Sequence, residues 1–156
     1  MGGRSAWVWL AAALVALIGC DAPTIRGEID DAEIRLEREQ SPASIWLELA
    51  NVGTQPCELV VLLSPLPADA LPVDEGRVVT SLSGAADAII PIESYVELDG
   101  APLVRDAGGA AIIRPGDRVR VQVGFKGTPD VGVLVIVCNG PGDYEAGRYA
   151  VLAFER

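Results

Sequence analysis

The sequence predicts an all-β chain, an antiparallel sandwich of about seven to nine short strands, and three observations lead there. Apolar and polar residues alternate in several segments. The clearest is "RVRVQVGF", with Val119, Val121, Val123 and Phe125 on one face and Arg118, Arg120 and Gln122 on the other. Turn residues punctuate the chain at short intervals, in "NVGTQPC", "RPGD", "GTPD" and "NGPGDYEAG". Beyond the first twenty residues no segment carries a sustained helical period.

The chain opens with one cation, Arg4, and then a run over residues 6–18 with no charge and no strongly polar side chain. A helix needs about 20 residues to span a bilayer, so this run is short for a permanent anchor and reads as a signal peptide, residues 1–19. An uncut N-terminal anchor is the alternative. The run ends in Leu17-Ile18-Gly19-Cys20, which resembles the lipobox of bacterial lipoproteins: an aliphatic residue, two small or aliphatic ones and an invariant cysteine. The resemblance implies cleavage before Cys20 and a diacylglyceryl group on its thiol. It also implies attachment to a bacterial envelope membrane without a spanning helix. Asp21 bears on inner or outer membrane sorting in some bacteria, and the choice stays open.

Residues 20–32 follow as the lipidated cysteine and an acidic stretch, "DAPTIRGEIDDA", with one Pro, one Gly and no sustained alternation; a tether is expected there. The folded domain is then expected over residues 33–156. Its strands are announced by Ile34 and Leu36 in "EIRLER". In "SIWLELAN", Ile45, Leu47 and Leu49 alternate with Trp46 and Glu48. "VGVLVIVC" is apolar on both faces and reads as a central strand, with Cys138 on the side of Leu134 and Ile136. "RYAVLAF" supplies the last strand. Asp99-Gly100 is the preferred pair for a two-residue hairpin loop, and that register sets Leu98 opposite Ala101 and Val96 opposite Leu103.

"LELANVGTQPCEL" resembles the strand–turn–strand of immunoglobulin-like domains in bacterial envelope proteins, where an Asn-x-Gly turn joins two core strands. "IRPGDRVRVQVGF" and "AGRYAVLAFE" resemble later strands of such domains. The likeness implies an immunoglobulin-like sandwich and carries over no binding residue.

Composition excludes several chemistries. The formal charge of −10 argues against nucleic acid and anionic lipid head groups as partners. The chain contains no histidine, and its only methionine is Met1. A Ser-His-Asp triad, a histidine-ligated zinc, a blue-copper centre and a His- or Met-ligated haem therefore lack their side chains. No cofactor is implied. Cys57 and Cys138 are expected to pair in an oxidising compartment, with a two-thiolate metal site as the alternative.

The remaining candidates are weaker signals. "SPLPADALPVDEG" is the longest irregular stretch, and Pro65, Pro67, Asp69, Pro72, Asp74 and Glu75 would line a partner-binding loop there or simply a solvated crossover. Trp46, opposite the buried face of its strand, offers an aromatic contact or a second-layer contact beside Arg and Glu stems. Asn139, Asp143 and Glu145, with Asp130, carry oxygens suited to calcium in a spacing that matches no dedicated loop. The adjacent acids Asp30/Asp31 and Asp74/Glu75 do not meet the geometry of a glycosidase pair. The expected function is a lipid-anchored, noncatalytic envelope binding or accessory module, meeting an envelope protein or a cell-wall component. Its alternatives are a protease-inhibitor-like or a glycan- or calcium-binding module and, last, a carboxylate-dependent hydrolase.

Overall fold

Alternation builds the strands, and the computed structural model, which describes residues 22–79, 90–91, 93–98, 101–102, 111–124 and 132–155, contains no other regular element among them. In chain order they begin with β1 (Thr24–Ile29), β2 (Ile34–Leu36), β3 (Gln40–Ser41), β4 (Ser44–Asn51) and β5 (Cys57–Ser64). Next come β6 (Val73–Asp74), β7 (Arg77–Val78), β8 (Ile90–Pro91), β9 (Glu93–Leu98) and β10 (Ala101–Pro102). The chain closes with β11 (Ala111–Ile113), β12 (Arg118–Gly124), β13 (Val133–Cys138) and β14 (Tyr149–Phe154).

Two sheets face each other. One runs β10-β9-β12-β4-β1-β2 and the other β11-β5-β13-β14-β3, with β8 also on β5; β6 and β7 form a separate hairpin. The polar edges of the turn between β4 and β5 carry the chain from the first sheet to the second. Asn51, buried at its start, accepts from the Gly53 N–H and donates to the carbonyls of Gln55 and Ile113. Pairing is antiparallel except in two places: β1 lies parallel to β4, and β3 parallel to β14.

The inward residues of both sheets form one core. Ile25, Ile29, Ile45, Leu47, Leu49, Val119, Val121 and Val123 from the first sheet meet Leu59, Val61, Leu134, Ile136 and Leu152 from the second. Each such side chain contributes roughly 1.5–3 kcal/mol by leaving water. A disulfide joins Cys57 to Cys138 inside this core, with Cα atoms 4.9 Å apart and a separation of 81 positions in sequence. It links neighbouring strands of the same sheet, since β5 pairs with β13. Closing a loop of that length removes about 4–5 kcal/mol of unfolded-chain freedom in the entropy model.

One expectation is corrected. The stretch assigned to a tether is instead β1, an inner strand of the first sheet whose Ile25 and Ile29 are fully buried. The alternation there is hidden by Gly27, the inward position between the two isoleucines. No larger side chain fits, because a Cβ would lie 2.5 Å from the Arg35 carbonyl and 2.7 Å from Leu36 Cδ2. The Pro-rich stretch, expected as a partner-binding loop or a solvated crossover, packs on the second sheet through its apolar residues. Leu66, Ala68 and Leu71 fold back over the outer face of the second sheet and, with Val78, Tyr144 and Tyr149, cover Val60, Leu62, Val135 and Val137. The second sheet is therefore covered on both sides.

The hairpin at Asp99-Gly100 is seen through its flanks: Leu98 stands opposite Ala101 in β9 and β10, while residues 99, 100 and 103 lie outside the described residues. Cys20 and the segment before it lie outside them too.

Candidate functional site

The covering segment is tied down at two points. The Tyr144 hydroxyl accepts from the Leu71 N–H at 3.0 Å and donates to the Ala68 carbonyl at 2.8 Å. Burial pushes the phenol above its ordinary pKa, so the neutral hydroxyl serves as both donor and acceptor at any physiological pH. Further along, the Asn139 side chain holds the Val78 backbone, accepting its N–H at Oδ1 and donating to its carbonyl from Nδ2. The β6–β7 hairpin turns through Glu75 and Gly76, both at positive φ, and the Gly76 carbonyl accepts from Gly142 N–H at 2.7 Å.

Around this hairpin the charges are spent on structure. Arg77 forks onto the Glu58 carboxylate and also donates to the Asn139 carbonyl. The bond to Glu58 holds the Arg77 guanidinium charged even more firmly than usual. Arg148, 2% exposed, donates to Asp143 Oδ1 and to the Asp30 carbonyl, and its Nη2 has no hydrogen-bond partner among the described residues. Asp30 caps the turn into β2 by accepting the N–H groups of Ala32 and Glu33; those bonds hold its carboxyl below the usual range. Asp31 is lowered by the Thr54 hydroxyl first, then by the Thr54 and Gln55 N–H groups. Both acids are thus ionised turn anchors, unsuited to donating a proton to a substrate.

On the outer face of the first sheet, Trp46 is half-buried and the Arg120 guanidinium stacks on its ring, 4.1 Å from the centroid. Beyond it a groove of about 440 Å³ runs past Arg26, Arg35, Glu48 and Arg118, charges of both signs. Glu48 lies 3.9 Å from both Arg26 and Arg118, contacts that hold little energy in solvent.

The sequence candidates are thereby placed. Pro65, Pro67, Asp69, Asp74 and Glu75 are exposed along the covering segment and Pro72 is half-buried. Asn139 and Asp143 do not form a calcium site, because Asn139 is taken up by Val78 and Asp143 is neutralised by Arg148, while Glu145 is exposed. Asp130 lies outside the described residues. Among the described residues no group of three or more Cys, Asp and Glu is placed to hold a metal ion. Sequence reasoning missed Tyr144, Asn51 and Arg148 as organising residues. Their common signal was a position inside or beside a Gly-rich turn.

No protein-family profile matches the chain, and no curated protein matches it by sequence. Solved structures of similar shape include auracyanin from the photosynthetic bacterium Roseiflexus castenholzii, 17% identical, with a TM-score of 0.47, over 88% of this chain and all of that one. Auracyanin B is 19% identical at a TM-score of 0.48, over 86% of this chain and 90% of its own. A copper-containing nitrite reductase from Thermus scotoductus is 17% identical at 0.48, and this chain spans 31% of it.

One expectation is corrected by these names. The noncatalytic envelope binding module, with its inhibitor-like and glycan- or calcium-binding alternatives, is not retained: the solved structures of similar shape are named as a copper-containing nitrite reductase and as auracyanins. Likeness at this level passes no activity to this chain. Nor do its residues fit copper: there is no histidine, Met1 is the only methionine, and the sulfurs of Cys57 and Cys138 are bonded to each other.

Proposed function

We propose that this chain is a membrane-attached extracytoplasmic domain: lipid on Cys20 holds a rigid, disulfide-locked sandwich at the surface of an envelope membrane. The observation that carries this reading is the sequence Leu17-Ile18-Gly19-Cys20 at the end of an apolar run, only four positions before β1 begins at Thr24. A lipid-bearing residue so placed is continuous with the fold. The fully buried Cys57–Cys138 bridge supports the compartment, since such bridges persist where thiols are not kept reduced. Two acyl chains suffice for stable attachment, at about 0.8 kcal/mol per buried methylene.

The test is metabolic labelling with an acyl-chain precursor in a bacterial host. The native chain takes up label and sediments with membranes, and Cys20→Ala does neither. Label retained by Cys20→Ala overturns the reading.

A further inference from the structure

The first strand starts almost at the proposed lipid, and this fixes which part of the sandwich lies beside the bilayer. Pro23 is already held by the sheet, its carbonyl accepting the Trp46 N–H at 2.9 Å. Only Asp21 and Ala22 separate it from Cys20. Successive Cα atoms are 3.8 Å apart, so Cys20 lies at most about 11 Å from Pro23. Trp46 is opposite Thr24 in the parallel ladder, about 5 Å farther on. At the other end of β4, Asn51 pairs with Ile29, and the turn to Cys57 follows. That end stands roughly 17 Å beyond Trp46 at the rise of an extended strand.

What occupies the near end suits an interface. Trp46 presents an amphipathic ring on the outer face of the first sheet, and Arg120 supplies a cation stacked upon it. Tryptophan concentrates at the polar layer of bilayers, and an arginine donates to phosphate in a forked geometry. The net charge of −10 favours keeping the rest of the surface away from anionic headgroups.

We infer that the Trp46–Arg120 corner is a membrane-apposed surface, held against the lipid headgroup layer by the short link to Cys20. This rests on the lipid-anchor reading. The partner is the bilayer that carries the acyl chains, and the Cys57 end points away from it.

The chain itself supplies the probe. Its three tryptophans are Trp7, Trp9 and Trp46, so cleavage before Cys20 leaves Trp46 alone. Purified lipidated protein is mixed with phosphatidylcholine–phosphatidylglycerol vesicles containing lipid spin-labelled in the headgroup, and flotation is read beside emission. A second variant, Trp46→Phe with Val52→Trp, moves the probe to an exposed position at the far end. The expected result is flotation of both, quenching of Trp46 by the labelled headgroups and no quenching from position 52. Flotation with Trp46 unquenched, or with both positions quenched equally, overturns the apposition and leaves the anchor standing. Protein that carries no acyl chain and does not float overturns the anchor reading, and the apposition falls with it.

Discussion

Asn139 holds Val78 from both sides: its Oδ1 accepts the Val78 N–H at 2.6 Å and its Nδ2 donates to the Val78 carbonyl at 3.2 Å. Both residues are buried, Asn139 next in sequence to the bridged Cys138. This side chain therefore docks a hairpin on the sheet much as a neighbouring strand would, pairing both backbone groups of one residue. Asn139→Ala leaves a buried donor and a buried acceptor unpaired. The expected loss is roughly 2–4 kcal/mol, read as a lower midpoint in urea unfolding.

Tyr144 makes the second attachment of the covering segment. Tyr144→Phe keeps the ring against Val60 and Leu62 but removes the partner of the buried Leu71 N–H. A loss of about 1–3 kcal/mol is expected, with hydrogen exchange at Leu71 accelerated more than at β13. Equal protection of Leu71 in both proteins would show that the segment is held by packing alone.

Glu75 is the one non-glycine residue at positive φ among the described residues, at 50° beside Gly76 at 75°. A side chain in that region costs about 1–2 kcal/mol, less for Asn, which tolerates it. Glu75→Asn is expected to raise Tm by a few degrees. An unchanged or lower Tm would mean that the carboxylate contributes something the turn geometry does not show.

Acid should loosen the end that carries Asp30 and Asp31. Both carboxyls ionise more readily folded than unfolded, so the unfolded chain binds protons first as pH falls. Their contribution is complete above the unfolded value of about 3.9 and disappears as pH drops through the lower folded values. Asp31→Asn is expected to flatten the fall in stability below that pH in a series of urea titrations. A slope identical to the parent's would assign the acid response to other carboxylates.

The sequence was legible where one face is wet. β4 and β12 alternate cleanly, and Trp46 and Arg120 face out because Ile45, Leu47, Val119 and Val121 face in. The run that becomes β13 betrayed its central place by being apolar throughout, since the second sheet is covered on both sides. β1 was hidden for a local reason: the one inward position that had to be glycine broke the pattern by which strands are recognised. Its pairing with β4 was hidden for another, because a parallel ladder leaves no turn in the sequence to announce it. The covering segment escaped because Leu66, Ala68 and Leu71 are spaced by packing over a sheet and follow no period. Tyr144, Asn139 and Arg148 act across distances of sixty or more residues, which local spacing does not encode.

The parallel ladder also decides how the molecule bears load. Six residue pairs, from Thr24 and Trp46 to Ile29 and Asn51, lie along β1, and Pro23 extends the ladder by one more bond, its carbonyl accepting the Trp46 N–H. A pull from that side draws β1 lengthwise past β4, so the bonds across the ladder must yield together rather than one after another. Tension thus meets the fold in shear, the orientation in which a ladder of hydrogen bonds resists rupture best.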